Sequence, residues 1–141
     1  MSLLLDTNVL SEPSKRAPDA RVLSWLEQLV EEEAFVSVIS IAELRRGIER
    51  LPVGRRKESL ARELEDLRQT FVGRLLPVNE DVAQTWGVMT AQQQARGFEF
   101  SVMDGFLAAT AKVHGLTLVT RNVRDFRMLG IDLLNPWSAL P

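Results

Sequence analysis

Five short apolar runs, separated by longer helical patterns, constrain the fold of this chain most. The runs fall at residues 2–6, 35–39, 75–78, 116–120 and 131–134. Between the second and third runs, Leu60, Leu64, Leu67 and Phe71 recur at helical spacing and mark one face of a helix over residues 55–71. Strands that alternate with helices favour a parallel α/β sheet with right-handed crossovers. The pattern therefore predicts an α/β fold.

The remaining segments divide into helices and loops. Helices are predicted from about residue 19, over about 41–50, from Asn79 as N-cap to about 96, and over about 102–114. Residues 7–18, which contain Pro13 and Pro18, are predicted as a loop, and residues 121–128 as a loop or a single turn. No repeat, low-complexity stretch or linker interrupts the chain, so we expect residues 1–141 to form one domain.

Three apolar segments each lead into an acid. Asp6 follows Leu3-Leu4-Leu5, Glu43 follows the run that begins at Val36, and Asp104 follows Ser101-Val102-Met103. Open α/β sheets bind ligands in the crevice outside the carboxyl ends of their strands. We therefore expect these acids, which come from distant parts of the sequence, to converge at one edge of the sheet.

Helix capping is the alternative interpretation of each acid. Asp6 is a suitable cap or turn residue, and Ser40-Ile41-Ala42-Glu43 has the form of a capping box. Ser101-Val102-Met103-Asp104 has the same form. Capping does not require all three acids to fall at the same edge of the predicted sheet, which favours a shared site.

Such a cluster indicates a divalent cation. Carboxylates about 5 Å apart repel by roughly 3 kcal/mol per pair at an effective dielectric near 20, and a hard cation offsets this cost. The sequence has no cysteine and a single histidine, His114, which excludes thiolate and paired-histidine metal sites. Oxygen ligands favour Mg²⁺ or Mn²⁺ over zinc. The chemistry that this predicts is metal-assisted hydrolysis of a phosphodiester.

Other polar residues flank the predicted crevice. Asn122 and Asp125 follow the fourth strand and are candidates to coordinate a metal, directly or through water, although Asp125 could instead cap the next turn. Thr7, Asn8 and Thr120 are candidates to orient the carboxylates. The net charge of −2 gives no global attraction for nucleic acid, so local clusters matter more. Arginines from two basic clusters are candidates to bind phosphates: Arg45, Arg46 and Arg121.

Nothing in the sequence indicates a membrane or an export signal. No apolar run approaches the length of about 18 residues that a membrane helix needs, and the start of the chain lacks a basic segment. We therefore expect a cytoplasmic protein with no membrane partner.

Four motifs together resemble the PIN-domain family, in particular the VapC-type toxins of bacterial toxin–antitoxin pairs and their FitB-like branch. The motifs are Leu4–Glu12, Ser37–Leu44, Asp104–Ala111 and Leu118–Phe126, followed by Asn135-Pro136-Trp137. The resemblance implies a three-layer fold with a five-stranded parallel sheet flanked by helices. It also implies a Mg²⁺- or Mn²⁺-dependent endoribonuclease, a homodimer or larger assembly, and a cognate antitoxin that covers the acidic pocket.

The resemblance also assigns roles to residues. It places the metal-binding acids at Asp6, Glu43 and Asp104, and a more variable fourth acid at Asn122 or, nearby, at Asp125. Gly105, where relatives commonly carry Ala, is expected only to loosen the start of its helix. RNA with unpaired bases is the expected substrate, since an A-form duplex buries its bases.

Two alternatives stay open at this point. A non-catalytic module could use the same acids to bind a metal or a basic antitoxin tail. A haloacid-dehalogenase-like phosphotransferase would also place an aspartate at the end of its first strand, but it needs a second acid at position 8, where this chain has Asn8.

Overall fold

A computed structural model describes residues 1–138 of the chain. The strands are β1 (Leu3–Leu5), β2 (Ala34–Ser37), β3 (Leu75–Leu76), β4 (Thr117–Val119) and β5 (Leu133–Leu134). The α-helices of this part are α1 (Thr7–Ser11), α2 (Ala20–Glu27), α3 (Val38–Glu49), α4 (Arg55–Thr70), α5 (Glu80–Ala95), α6 (Val102–His114) and α7 (Val123–Phe126). Short 3₁₀ turns follow α1, precede β2 and follow α7.

All pairings in the sheet are parallel, and the strands lie in the order β3-β2-β1-β4-β5. The chain builds outward from β1 through β2 to β3, then crosses to the opposite side of β1 to form β4 and β5. The strand order therefore reverses between β1 and β4, where Leu3 pairs with Thr117. The predicted α/β class and the five-stranded parallel sheet flanked by helices are confirmed.

Helices cover both faces of the sheet, so that β1 is buried on both sides. Leu4 packs with Leu107 of α6 and Leu118 of β4 on one face. Leu3 and Leu5 point to the opposite face, as alternation along a strand requires, and pack with the core that contains Val9, Val22 and Phe71. This arrangement gives the three-layer architecture that the resemblance implies.

Two boundaries differ from the sequence prediction. Part of the predicted loop over residues 7–18 is helical, because α1 begins directly after Asp6 and a 3₁₀ turn spans Glu12–Ser14. Strand β2 ends at Ser37 and not at Ile39, since the Ser37 hydroxyl caps α3 by accepting from the Ile39 N–H at 3.0 Å. The predicted capping box that starts at Ser40 is therefore wrong: Ser40 is fully buried inside α3.

For the predicted capping box Ser101-Val102-Met103-Asp104, the role of the serine as N-cap is confirmed. Ser101 is the N-cap of α6, and its hydroxyl accepts a hydrogen bond from the Asp104 N–H at 3.1 Å. Asp104 can therefore take part in the cap and also lie in the acidic site, because this bond uses only its backbone N–H.

No helix described within residues 1–138 is long and apolar enough to cross a membrane.

Candidate active site

Asp6 lies at the point where the strand order reverses. It directly follows β1, its N–H donates to the Val119 carbonyl of β4 at 2.9 Å, and its side chain caps α1. Oδ1 accepts from the Thr7 N–H at 2.7 Å and Oδ2 accepts from the Thr120 hydroxyl at 2.7 Å. Thr120 directly follows β4 and is fully buried. Both carboxylate oxygens are therefore fixed, Oδ1 by the first residue of α1 and Oδ2 by the residue that follows β4.

Burial makes Asp6 an unusual acid. Only 4% of its surface is exposed. Desolvation raises its pKa from 3.8 to about 6, against the lowering effect of the hydrogen bonds from Thr120 and Thr7. The negative charges of Asp104 and Glu43 also contribute to this raised pKa. The acids predicted to converge therefore lie close enough to affect one another.

Glu43 reaches the same crevice from α3. Its Oε1 lies 2.6 Å from the Thr7 hydroxyl, which in turn lies 3.0 Å from the Ser40 hydroxyl. A carboxylate only accepts hydrogen bonds, and a hydroxyl has one proton to donate. The chain of bonds therefore runs from Ser40 to Thr7 to Glu43. Thr7 thus connects the end of β1 to the first turns of α3.

Asp104 enters from the first turn of α6 and is half-buried. Desolvation raises the pKa of Asp104, a hydrogen bond between its side chain and that of Ser101 lowers this pKa, and the charges of Glu43 and Asp125 raise it. Asp125 itself is exposed on α7. Asp104 therefore lies close enough to both Glu43 and Asp125 for their charges to affect it.

The two asparagines hold the loop after β4. The backbone N–H of Asn122 donates to the Thr120 hydroxyl at 3.0 Å, while Asn122 itself is exposed and its side chain does not cap α7. Asn8 Oδ1 accepts from the Arg121 N–H at 3.4 Å. The Asn8 side chain thus contacts the backbone of the loop that follows β4.

The three predicted phosphate-binding arginines are exposed, and two of them already have partners. Arg45 pairs with Glu49 at 3.3 Å across one turn of α3, and the Arg121 guanidinium lies 5.4 Å from the centre of the Trp137 ring. Exposed ion pairs of this kind contribute about 0–1 kcal/mol, so a phosphate competes with them easily. The structure brings Arg121 close to the crevice through its contact with Asn8.

The acid cluster suits a hydrated divalent cation more than a closed protein cage. Among the described residues, no three acids are arranged as ready ligands of one ion. Mg²⁺ commonly uses one or two carboxylates together with waters and substrate phosphates. Asp6 supplies one buried carboxylate, and Glu43 and Asp104 lie close enough for their charges to affect it, which meets that requirement. Asp6, Asp104 and Glu43 are the residues that could hold the ion.

Sequence reasoning missed Ser40. Ser-x-x-Glu is a capping pattern, so capping is the one role that the sequence suggests for this serine, whereas the structure buries its hydroxyl beside Thr7. The signal that could have found it is Ser37, three residues earlier, which is an equally good cap and moves the start of the helix.

Comparison with known proteins agrees with this fold and geometry. Residues 3–130 match the PIN domain family. Toxin FitB of Neisseria gonorrhoeae is 40% identical over 136 residues, which cover 96% of this chain and 98% of FitB. The VapC ribonuclease Y4jK of Sinorhizobium fredii is 37% identical over 137 residues, with 96% and 98% covered. In the structure of FitAB bound to an IR36 DNA fragment, one chain matches with a TM-score of 0.93 and 37% identity, over 99% of this chain and 98% of that one.

The chain therefore belongs to the PIN-domain family. The haloacid-dehalogenase-like alternative is wrong, because the match covers nearly the whole chain.

Proposed function

We propose that this chain is a single-domain endoribonuclease toxin that depends on Mg²⁺ or Mn²⁺ and is neutralised by a cognate antitoxin. The observation that carries the proposal is Asp6, buried where the strand order reverses and close to Glu43 and Asp104. Relatives that cover almost the whole chain are a toxin and a ribonuclease, which supports the same activity. The cytoplasm, where cellular RNA is available, is the compartment that the proposal implies.

The residues of the chain have separate roles in this proposal. A divalent cation bound by Asp6, Glu43 and Asp104 would neutralise phosphate charge and lower the pKa of an attacking water. Thr120 holds the Asp6 carboxylate in place before RNA binds, and Thr7 holds the Glu43 carboxylate. Water attacks the phosphorus in line while the P–O bond to the leaving ribose oxygen breaks, and a proton passes to that oxygen. The reaction needs no covalent intermediate with the protein.

The remaining polar residues have supporting roles. Asp125 and Asn122 lie beyond Asp104 and order water near the reacting phosphate. Arg45, Arg46 and Arg121 bind phosphates on either side of the scissile bond; all three are exposed. An arginine pairs with phosphate through two parallel hydrogen bonds, which fixes the strand as well as attracting it.

A groove beside the acids is the proposed site of the antitoxin. It encloses about 500 Å³ between α1, α3 and α4. Its walls are mostly apolar, including Leu10, Leu44 and Leu60, while Thr7 and Glu43 lie among its lining residues. A peptide segment with apolar side chains and a basic residue near Glu43 would fit such walls. Solved relatives such as FitAB are complexes with a partner chain, which supports a bound antitoxin.

Cleavage of a mixed cellular RNA pool tests the nuclease. The purified chain is compared with Asp6→Ala in Mg²⁺, in Mn²⁺ and in EDTA, and Asp66→Ala, an exposed acid of α4, is the matched control. We expect discrete cuts with either metal that EDTA and Asp6→Ala abolish and Asp66→Ala leaves unchanged. Absence of cutting by folded protein with both metals would favour the non-catalytic binding module instead.

The assembly is tested separately. A homodimer or a larger assembly stays a prediction of the resemblance, and light scattering of the purified chain measures it directly.

A further inference from the structure

A second cavity opens next to the acid cluster, and most of its lining residues have no role in the proposed chemistry. It encloses about 370 Å³, within the range of roughly 300–1,000 Å³ that is usual for small-ligand pockets. We call it the loop cavity, and the lining residues that matter here are Phe98, Glu99, Asp104, Arg124, Asp125 and Met128. Asp104 therefore belongs to both the loop cavity and the acid cluster.

One wall of the loop cavity is apolar and unusually exposed. Phe98 and Met128 each expose 43% of their surface, although both are large hydrophobic residues. Phe98 lies in the short segment between α5 and α6, directly after Gly97, whose φ of +85° allows the sharp end of α5. An exposed aromatic ring beside a charged crevice indicates a surface that a ligand covers.

A single buried residue holds both parts of this wall. The carbonyl of Gln93 accepts from the Phe98 N–H at 2.9 Å, and its side-chain amide donates to the Met128 carbonyl at 3.3 Å. Gln93 is only 7% exposed. The segments that carry Phe98 and Met128 are therefore fixed relative to each other before a ligand arrives.

Of the charged residues that line the loop cavity, Arg124 is basic, and Glu99, Asp104 and Asp125 are acidic. Arg124 is exposed, and none of the ion pairs within residues 1–138 involves it. The divalent cation of the proposed function would offset the charge of the acids near Asp104, so that a ligand with a flat apolar part for Phe98 and an anionic part for Arg124 fits this cavity. A nucleotide combines the two, since every base has a π-face that stacks on aromatic rings and its phosphate pairs with arginine.

We propose that the loop cavity binds one unpaired nucleotide of the RNA next to the scissile phosphate, with its base on Phe98 and Met128 and its phosphate on Arg124. This inference rests on the proposed function and deepens it, because Asp104 places the cavity beside the reacting phosphate. It also makes cleavage depend on an unpaired base at one defined position relative to the cut.

Binding of a short, fluorescein-labelled single-stranded RNA of mixed sequence tests the base contact. All binding variants carry Asp6→Asn, so that the RNA stays intact during the measurement. We expect Phe98→Ala to weaken binding about tenfold and Phe98→Trp to retain it. Val88→Ala, which removes an exposed apolar side chain of α5, is the matched control and should change nothing.

The phosphate contact has its own readout. Arg124→Gln should lower the slope of log affinity against log salt by about 0.7, as expected for one phosphate contact on a single strand. Arg62→Gln removes an exposed arginine of α4 that lines neither cavity and should leave the slope unchanged.

An abasic scan gives the decisive comparison, using one RNA that the wild-type chain cuts. At one position near the cut, removing the base should cost as much affinity as Phe98→Ala, and the two losses should not add. Additive losses at every position would overturn the base contact. The inference also fails if Phe98→Ala leaves RNA affinity unchanged but alters the oligomeric state or antitoxin binding, since the wall is then a protein interface.

The two proposals fail in different ways. If the wild-type chain cuts RNA and Asp6→Ala does not, but adding Phe98→Ala to Asp6→Asn leaves RNA affinity unchanged, only the loop-cavity inference is wrong. If the wild-type chain neither cuts nor binds RNA, the proposed function is wrong and the inference falls with it.

Discussion

The hydroxyl of Thr120 donates a hydrogen bond to Asp6 Oδ2 at 2.7 Å, although 114 positions separate the two residues in the chain. The bond joins the ends of β1 and β4, between which the strand order reverses. Thr120 also accepts the N–H of Asn122. One buried hydroxyl therefore connects the most buried acid of the site to the loop that carries Asn122 and Asp125.

Thr120→Val should destabilise the protein and raise the pKa of Asp6, because the hydroxyl is the strongest group that lowers this pKa. We expect a loss of about 1–3 kcal/mol in the free energy of unfolding, since a buried acceptor loses its donor. Thr120→Ser keeps the hydroxyl and is the control. Denaturant unfolding measures the loss, and equal stability of the Val and Ser variants would contradict the assigned bond.

Asp6→Asn should stabilise the metal-free protein at pH 8 but not at pH 4. The folded-state pKa of about 6 lies above the ordinary value of 3.8, so ionisation at high pH costs the folded state free energy. The cost is complete above pH 6, shrinks as the pH falls from about 6 to 4, and is absent below it. A difference near 2 pKa units corresponds to about 3 kcal/mol.

Unfolding of both proteins across this pH range, in EDTA, measures the effect. Added Mn²⁺ should then stabilise the wild-type protein and not Asp6→Asn, because only the native carboxylate site binds the ion. A stability difference that does not change between pH 4 and pH 8 would contradict the raised pKa of Asp6.

Thr7→Val should weaken metal-dependent cleavage more than it weakens folding. It removes the donor to Glu43 and breaks the hydrogen-bond chain that begins at Ser40. Groups that orient metal-binding residues typically contribute 10- to 100-fold to metal affinity or activity, and we expect a loss in about that range. Thr7→Ser should behave like the wild-type protein. Mn²⁺ titration followed by calorimetry measures the affinity, and an unchanged affinity in Thr7→Val would rule out this role.

Gly105→Ala should destabilise α6 against α5. A Cβ at this position would lie 2.7 Å from Nε1 and 2.9 Å from Cδ1 of Trp86, whose ring stacks on Phe106 with centroids 5.0 Å apart. The glycine thus permits a close approach of α6 to α5. Overpacking of this kind costs about 1–3 kcal/mol.

Two further variants isolate that contact. Gly87→Ala lies in α5 with nothing within 4 Å of the new Cβ, so it should be neutral or slightly stabilising. In the double variant, Trp86→Leu should remove most of the loss of stability that Gly105→Ala causes. Thermal unfolding of the wild-type protein and these four variants provides the test, and losses that simply add would mean that Gly105 and Trp86 do not interact.

Gly47→Leu should block antitoxin binding and leave cleavage intact. Gly47 lines the groove between α1, α3 and α4, and a Cβ there meets nothing within 4 Å, so a larger side chain extends into the groove without strain in the helix. Gly87→Leu is the matched helical control. The measurement is RNA cleavage with and without the co-purified cognate antitoxin. Full inhibition of Gly47→Leu would place the antitoxin elsewhere.

The sequence predicted the strands and longer helices well because each has a local cause. Leu60, Leu64 and Leu67 of α4 repeat at helical spacing, and Asn79 caps α5 by accepting from the Val82 N–H at 3.0 Å, as expected. Prediction failed at Val38 and Ile39, whose β-branched side chains favour a strand. There the Ser37 cap, together with packing, starts α3 earlier.

Local patterns in the sequence were sufficient to place Asp6 directly after a buried strand and to predict that strands and helices alternate along the chain. Hydrophobic periodicity and capping act over a few residues and can be read locally. Long-range packing, by contrast, was needed to establish that Thr120 holds Asp6, that Ser40 and Thr7 hold Glu43, and that Gln93 fixes both parts of the loop-cavity wall. These bonds join residues that are distant in sequence, and they form only when the sheet order brings β1 beside β4 and the helices close over it.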